Sequence, residues 1–460
     1  MIYVGAIIAI QVIVMTAVLL YKKHNPQGVL IVVGLLMLSI ASVIGMENVS
    51  TPHESTNATF FNIFKIVEES FTTNLANVGF MIMAIGGYVE YMKKIKASDA
   101  LVHFSMRPLS LFKKYPYVAA VAIIPIGQLL SIAIPSATGL GLLLAASVLP
   151  VLVSLGVSRL SSASVITATT VFDIGPSSVN TAMASLLSDI NSMSYFIDHQ
   201  LALVIPGTLF MMLLYFITMR YFDKKEKTSQ TAEIAITKSN EPLGVPLVYA
   251  IFPMLPLILL VLFSKHLQIL GVSIELKTTT AMIVSMFVAM FFEFVRRRNL
   301  RYLFDAVTSF WEGMSSVFVS VVTLIVCAEI FSKGLISLGF IDFLIDTSLH
   351  LGFQGIFIGV LIMLIIFCAA ILMGSGNASF FSFGPLVPDI AKSVGIKTVD
   401  FLLPMQLSAS LGRAASPIAG VVIATAKIAG VSPFALAKRN LIPVVGTTLF
   451  LIIYHYFFNM

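Results

Sequence analysis

The sequence predicts an all-α polytopic membrane protein with inverted repeats, about ten spanning helices and two re-entrant hairpins. Three observations carry that expectation. The 460 residues are 58% apolar and only 11% charged, with a mean hydropathy of +0.98. Apolar stretches of about 17–25 residues, long enough to cross the hydrocarbon core as helices, recur along the chain. Short motifs of the first half return in the second at a nearly constant spacing. A soluble chain this apolar could not cover its own surface.

In chain order the spans fall at 2–20, 28–46, 76–92, 160–187, 200–221, 246–264, 277–294, 315–333, 401–428 and 440–458. The first has no basic region before it and no small-residue cleavage site, and Lys22 and Lys23 follow it, so it reads as a retained span. Two apolar pairs, 116–156 and 353–391, break in the middle at small polar residues and read as hairpins that enter and leave on one side. Segments 61–72 and 303–312 are amphipathic and read as interfacial helices. The polar stretch 222–245 then links a first half, 1–221, to a second, 246–460.

Charge supports this map. With the N-terminus outside, 21 Lys and Arg residues fall inside and 6 outside, the bias expected of a cytoplasmic face. The inner set includes Lys93, Lys94, Arg159, Arg220, the run Arg296–Arg298, Arg301, Lys438 and Arg439, and the outer set Lys65, Lys277, Lys333, Lys392 and Lys397. The count requires both broken pairs to be non-crossing, and it leaves both termini outside. Arg413 alone remains at membrane depth. The net charge of +6 is scattered over loops and forms no patch, which argues against nucleic acid as a partner.

The repeat rests on four correspondences. FKIVEESF at 64–71 resembles FDAVTSFW at 304–311, and Glu90/Lys94 recurs as Glu329/Lys333. PSATGLG at 135–141 recurs as GSGNASF at 374–380, and GPSSVN at 175–180 as RAASPI at 413–418. All stand about 240 residues apart, and an odd number of crossings per half makes the second half inverted.

Chemistry concentrates in four interruptions. The hairpin tips are Ser136-Ala137-Thr138-Gly139 and Ser375-Gly376-Asn377-Ala378. A non-helical tip exposes N–H groups at the start of the next half-helix, and these with the helix dipole favour an anion. Small residues can also serve only close helix packing, but two tips at the repeat spacing favour a site. The interrupted spans carry Asp173 beside Gly175-Pro176-Ser177-Ser178-Val179-Asn180, and Ser410-Leu411-Gly412-Arg413 beside Ser416-Pro417. Ionisable groups at that depth are costly and usually functional. Arg413 can present a fork of donors to a carboxylate, although Asp173 and Arg413 could equally neutralise each other. Asp173, Asn180 and Ser410 are candidates for coupling to an ion, sodium being one candidate metal. Glu90/Lys94 and Glu329/Lys333 read as i,i+4 salt bridges.

Enzyme signals are poor: there is no HExxH, GxSxG, Walker A or complete dinucleotide fingerprint, and nothing calls for a cofactor. The seven histidines fall at span ends or loops and read as solvated, and Cys327 and Cys368 lie in apolar segments and suggest no disulfide framework.

SATGLG at 136–141, GSGN at 374–377, LGRAASPIAGVV at 411–422, SPF at 432–434 and KR at 438–439 together resemble the DcuC family of anaerobic C4-dicarboxylate carriers. The resemblance runs over nearly the full length. It implies a secondary carrier in the bacterial inner membrane, moving succinate, fumarate, malate or aspartate by efflux or exchange. It also implies a scaffold domain and a transport domain that moves against it as an elevator, and by analogy a homodimer. Substrate carboxylates would meet Arg413 and the N–H groups at 136–139 and 375–378, with Ser177, Ser178 and Ser416 completing the shell. A proton, sodium or counter-substrate gradient would drive the cycle. Two departures stand out: family members often carry Pro-Thr-Ser-Gly-Asp where this chain has Pro176 to Asn180, and Asn where it has Ser410. Asn180 cannot bind and release a proton. A carrier for another organic anion, or a sodium/proton antiporter using Asp173, is the alternative. A channel or intramembrane enzyme fits less well, because polarity is confined to four short breaks.

Overall fold

A computed structural model of the chain describes residues 2–22, 24–46, 49–106, 115–226, 244–264, 276–350 and 355–459. Of the basic residues counted for orientation, Lys23, Arg107, Lys113, Lys114, Lys227, Lys238 and Lys265 lie outside these, as do residues 227–243 of the expected linker and the first two residues of the second hairpin.

The first half begins with α1 (Ile2–Tyr21) and α2 (Pro26–Ile44). Asn25 caps α2 by accepting from the Gly28 N–H at 2.9 Å, Pro26 opens it, and Gly45 at φ 75° closes it. Then come α3 (Thr59–Asn74), α4 (Phe80–Lys94) and α5 (Ala97–Ser105). The first hairpin is α6 (Pro116–Ala133), α7 (Ala137–Ser147) and α8 (Leu149–Ser154), and the first broken span is α9 (Arg159–Ala168) and α10 (Val179–Leu187). A short α11 (Ser192–Ser194) leads through a wide turn into α12 (Leu201–Lys225).

The second half follows a similar order, without a counterpart of α11. A 3-10 turn at Leu247–Met254 precedes α13 (Leu255–Leu262), followed by α14 (Thr278–Arg297), α15 (Leu300–Val317), α16 (Thr323–Ser337) and α17 (Phe340–His350). Its hairpin is α18 (Gly355–Met373), α19 (Gly376–Phe383) and α20 (Val387–Val394), its broken span α21 (Thr398–Ala414) and α22 (Gly420–Ala429), and α23 (Pro433–Tyr454) ends the bundle. Among the described residues, nine helices are long and apolar enough to cross a membrane.

Several expectations need correcting. Segments 61–72 and 303–312 are not separate interfacial helices. Each runs without a break into the following span through a π turn, at Leu75–Gly79 and Phe318–Val322. The second composite helix is 38 residues long. At about 1.5 Å per residue it exceeds a core of about 30 Å, so its amphipathic start extends beyond the apolar layer or tilts within it. The span at 246–264 starts as a 3-10 turn, because Pro246, Pro253 and Pro256 remove the donors an α-helix needs there. The last span starts at Pro433. In the first hairpin both arms, Pro116–Ala133 and Ala137–Ser154, are as long as a span, whereas the second returns through the short α19 and α20. The start of the expected linker is helix: Asp223 and Glu226 at the end of α12 bind the buried Arg439 at 3.2 and 2.7 Å. His455 is buried, with Nε2 2.7 Å from the Asp400 carbonyl, and so is not a solvated end residue.

Glycines set the closest helix crossings. A Cβ on Gly313 of α15 would lie 2.5 Å from the Gly86 carbonyl of α4, and one on Gly334 of α16 would lie 2.9 Å from the Met37 Cβ of α2. Side chains there would force α4 from α15 and α2 from α16.

Arg439 ties α23 to α12 and, through Ser161, to α9 at 3.0 Å. Replacing it with Gln strands Asp223, whose hydroxyl partners Ser158 and Ser161 are neutral. Breaking such a pair costs about 3–5 kcal/mol. Arg439→Gln is therefore expected to lower the thermal midpoint in detergent by several degrees, read by tryptophan-independent dye unfolding, and Asp223→Asn in the same chain to restore part of it.

Candidate functional site

Both hairpin tips end in the same device. Ser136 caps α7 by accepting from the Gly139 N–H at 3.2 Å, and Ser375 caps α19 by accepting from the Ala378 N–H at 3.2 Å. The serine hydroxyls thus consume the N–H groups of Gly139 and Ala378. The N–H groups of Ala137 and Thr138, and of Gly376 and Asn377, lie in first turns, where a helix supplies no acceptor. Gly374 adopts φ 68°, and a Cβ there would meet Ile418 at 2.8 Å, so glycine is required for the second tip to close.

The first break runs between Ala168 and Val179. Asp173 at φ 47° and Gly175 at φ 99° turn the chain. Side chains replace the lost helical bonds: Gln200 Oε1 accepts from the Gly175 N–H at 3.1 Å, Gln406 Nε2 donates to the Asp173 carbonyl at 3.4 Å, and Ser178 donates to the same carbonyl at 2.9 Å. Gln200 and Gln406 both donate to Thr181, at 2.9 and 3.2 Å. Arg413, in the last turn of α21, reaches across to donate to the Thr170 carbonyl at 2.6 Å. The second break, between Ala414 and Gly420, is supported by Asn440, which donates to the Ala414 carbonyl at 2.8 Å.

These pieces converge on a cavity of about 490 Å³. Pro135, Ser136, Ala137 and Thr138 of the first tip line it, with Gly374, Ser375, Gly376 and Asn377 of the second, Asp173 and Val179 of the first break, and Arg413, Gly420 and Val421 around the second. The facing wall comes from α4 and the α15–α16 helix, through Ile82, Ile85, Gly86, Val89 and Glu90, and through Gly313, Ser316, Val317, Ser320, Val321 and Leu324. The π turn at Phe318–Val322 belongs to this wall, a common place for such wide turns.

Of the residues singled out in the sequence, Ser136, Ala137, Thr138, Ser375, Gly376, Asn377, Asp173 and Arg413 line the cavity. Gly139, Ala378, Ser177, Ser178, Ser416, Asn180 and Ser410 do not. Ser178 caps α10, and Ser416 accepts from the Ile418 N–H at 3.4 Å. Asn180, fully buried, donates to the Asp173 carboxylate at 2.9 Å and to Ser410 at 3.4 Å. Asp173 and Arg413 form no ion pair with each other; each has its own partner, Asn180 and the Thr170 carbonyl. The buried amide oxygens of Asn377, Asn180 and Gln406 accept no hydrogen bond.

Sequence reasoning missed Gln200, Gln406, Gly420 and the facing wall. A glutamine in an apolar span was a readable sign of a broken backbone nearby. Glu90 pairs with Lys93 at 3.1 Å and not with Lys94, while Glu329 does pair with Lys333, at 2.8 Å.

A helical bundle whose broken helices and paired hairpin tips close on one polar cavity defines a multi-pass membrane transport protein. The family described as the C4-dicarboxylate anaerobic carrier, DcuC, matches residues 4–458, and the chain belongs to that family. The anaerobic C4-dicarboxylate transporter DcuC of Escherichia coli (strain K12) is 32% identical over 446 residues, 96% of this chain and 94% of its own. A Vibrio cholerae relative is 30% identical over 424 residues, 92% of this chain and 91% of its own. In fold the chain is similar to Neisseria gonorrhoeae MtrF, with a TM-score of 0.62, 12% identity and coverage of 94% of this chain and 95% of that one. It is also similar to the Alcanivorax borkumensis YdaH transporter, with a TM-score of 0.58, 15% identity and coverage of 94% and 98%.

A Cβ on Gly420 would lie 2.9 Å from the Thr138 Oγ1 of the first tip. Gly420→Val is therefore expected to displace Thr138 at that tip and to remove any thermal stabilisation of the purified protein by a C4-dicarboxylate that the parent shows, while the ligand-free midpoint stays within about 2 °C of the parent's, since α22 keeps its other contacts.

Proposed function

We propose that this protein is a secondary carrier of C4-dicarboxylates, with succinate, fumarate, malate and aspartate as substrates, working by efflux or exchange. The observation that carries the reading is the cavity where Arg413 and two capped helix N-termini face one space. A dicarboxylate has two acidic ends, and the tips offer two sets of N–H groups for them. Arg413 has further guanidinium donors beyond the one given to Thr170 and can bind a carboxylate through them. Asp173, held by Asn180 at the same cavity, is the candidate for the coupling cation, a proton or sodium. The work of such a protein is relocation of a solute, not its chemical conversion.

The halves 1–221 and 246–460 act in this reading as inverted repeats. Their similar element order supports it, and so do the two capping serines, Ser136 and Ser375, 239 positions apart. The hairpins and broken spans form the moving body. The composite α3–α4 and α15–α16 helices, with α2 and α14, form the scaffold, as a homodimer in the inner membrane with both termini periplasmic. The excess of Lys and Arg on one side supports that orientation.

Reconstituted vesicles loaded with succinate test the function. Exchange of radiolabelled succinate, fumarate, malate and aspartate is expected, and failure to move any of them sinks the reading. A hydrogen bond to a charged group contributes about 1.5–3 kcal/mol, so Arg413→Gln should weaken succinate exchange by about 10- to 100-fold in a protein that still purifies as the parent does. Asp173→Asn should leave some exchange but remove the dependence of net uptake on sodium or on pH. Retained dependence would move the coupling role to another group.

A further inference from the structure

The wall that faces the tips carries one ionisable group, Glu90, and nothing in the site as described so far uses it. Its history within the chain is informative. Glu329 stands 239 positions later, at the corresponding place on α16. There the carboxylate is consumed: Lys333 Nζ lies 2.8 Å away, Ser70 donates at 3.1 Å, and Asn74 donates as well. Glu329 is a clamp between α3 and α16.

Each part of that clamp has a counterpart 239 positions on or back. At the 239-residue spacing of Glu90 and Glu329, one less than that of segments 64–71 and 304–311, Lys333 corresponds to Lys94, Ser70 to Ser309 and Asn74 to Gly313. None of these counterparts binds Glu90. Ser309 donates instead to the Ala306 carbonyl at 2.6 Å. Gly313 has no side-chain amide to offer, and the α4–α15 crossing leaves no room for one, since a Cβ there would lie 2.9 Å from the Glu90 Cβ. Glu90 is left with Lys93 at 3.1 Å, a pair whose two side chains are 41% and 69% exposed. A pair that open contributes little to stability. The same carboxylate that is a clamp in one half is a wall charge paired only with an exposed lysine of its own helix in the other.

We infer that Glu90 is a charge filter of the cavity, lowering its affinity for doubly negative solutes relative to those that carry an ammonium group. The inference rests on the dicarboxylate reading above. The tips and Arg413 attract carboxylates regardless of what else the solute carries. A fixed negative charge on the opposite wall repels a dianion and is partly offset by a cationic substituent. Lys93 tempers the effect by screening Glu90.

The full-length chain in proteoliposomes decides the matter, with KM and maximal rate measured for succinate and for aspartate. One fixed charge acting on a solute with two across a well-hydrated cavity corresponds to a several-fold effect on binding. Glu90→Gln is expected to lower the succinate KM about three- to tenfold, with a smaller change for aspartate, and the difference should shrink in high salt. Lys93→Gln should raise the succinate KM, and Glu90→Asp should resemble the parent. Glu329→Gln should lower the thermal midpoint without changing the ratio of the two KM values. An unchanged or higher succinate KM in Glu90→Gln overturns the inference, as does an equal shift for succinate and aspartate. Should Glu90→Gln not fold, Lys93→Gln and Glu90→Asp carry the same test. Absence of transport of either solute by the parent chain is a separate result, which overturns the dicarboxylate reading itself.

Discussion

The structure depends on one constraint: a helix broken inside an apolar bundle must give its freed backbone groups new partners. The chain interrupts its helices at four places and meets the demand with side chains each time. Ser136 and Ser375 take N–H groups at the tips, Gln200, Gln406, Ser178 and Arg413 serve the first break, and Asn440 serves the second. This accounts for amides and hydroxyls buried in a sequence that is 58% apolar. They are the condition for having irregular backbone at a binding site at all. The helix ends left over, with unshared N–H groups, are what the cavity presents.

The supporting residues also fix geometry between the halves. Arg413 belongs to the second half and bonds the backbone of the first, at Thr170. Gln406 does the same at Asp173, and Asn440 joins Thr167 to Ala414. The two breaks are thereby held as one unit, and the tips pack against it, Thr138 beside Gly420 and Gly376 beside the Ala409 carbonyl. A body so cross-linked resists internal deformation. The wall formed by α4 and α15 meets it mainly through small or apolar residues, a surface with few directional bonds to break.

Much of this was legible in the sequence because its signals are local. The tips announce themselves as Ser, Gly and Asn between apolar runs, and both broken spans appear where Gly and Pro interrupt them, α9–α10 and α21–α22. Where the reading slipped, the deciding fact was a contact between distant segments. The amphipathic segments at 61–72 and 303–312 look like surface helices because their moment is local, yet π turns carry them straight into the next span. Ser177, Ser178 and Ser416 share the chemistry of a binding shell, but they stand behind the cavity wall. His455 looked like a solvated end residue until Asp400, 55 positions away, buried it. Glu90 looked like half of a helix salt bridge, and its access to the cavity depends on Gly313, more than 200 residues on.

Charge balance at the cavity has a further consequence. Its lining carries one guanidinium, Arg413, and two carboxylates, Asp173 and Glu90. Arg413 and the partial positive charge of two helix N-termini, roughly half a unit each, offset those two carboxylates, so a solute with two negative charges enters a space with no net positive charge to spare. In the proposed cycle a cation or proton entering with the solute closes that balance, and Asp173 is the candidate to receive it: its carboxylate accepts from Asn180 and its backbone is left-handed. Coupling in such a site follows from electrostatics. In that proposed cycle, solute and cation entering together are favoured over solute alone. Asp173 and Arg413, which a reading of the sequence alone could take for a neutral pair, feel each other's charge without forming an ion pair, and each keeps a hydrogen-bond partner of its own.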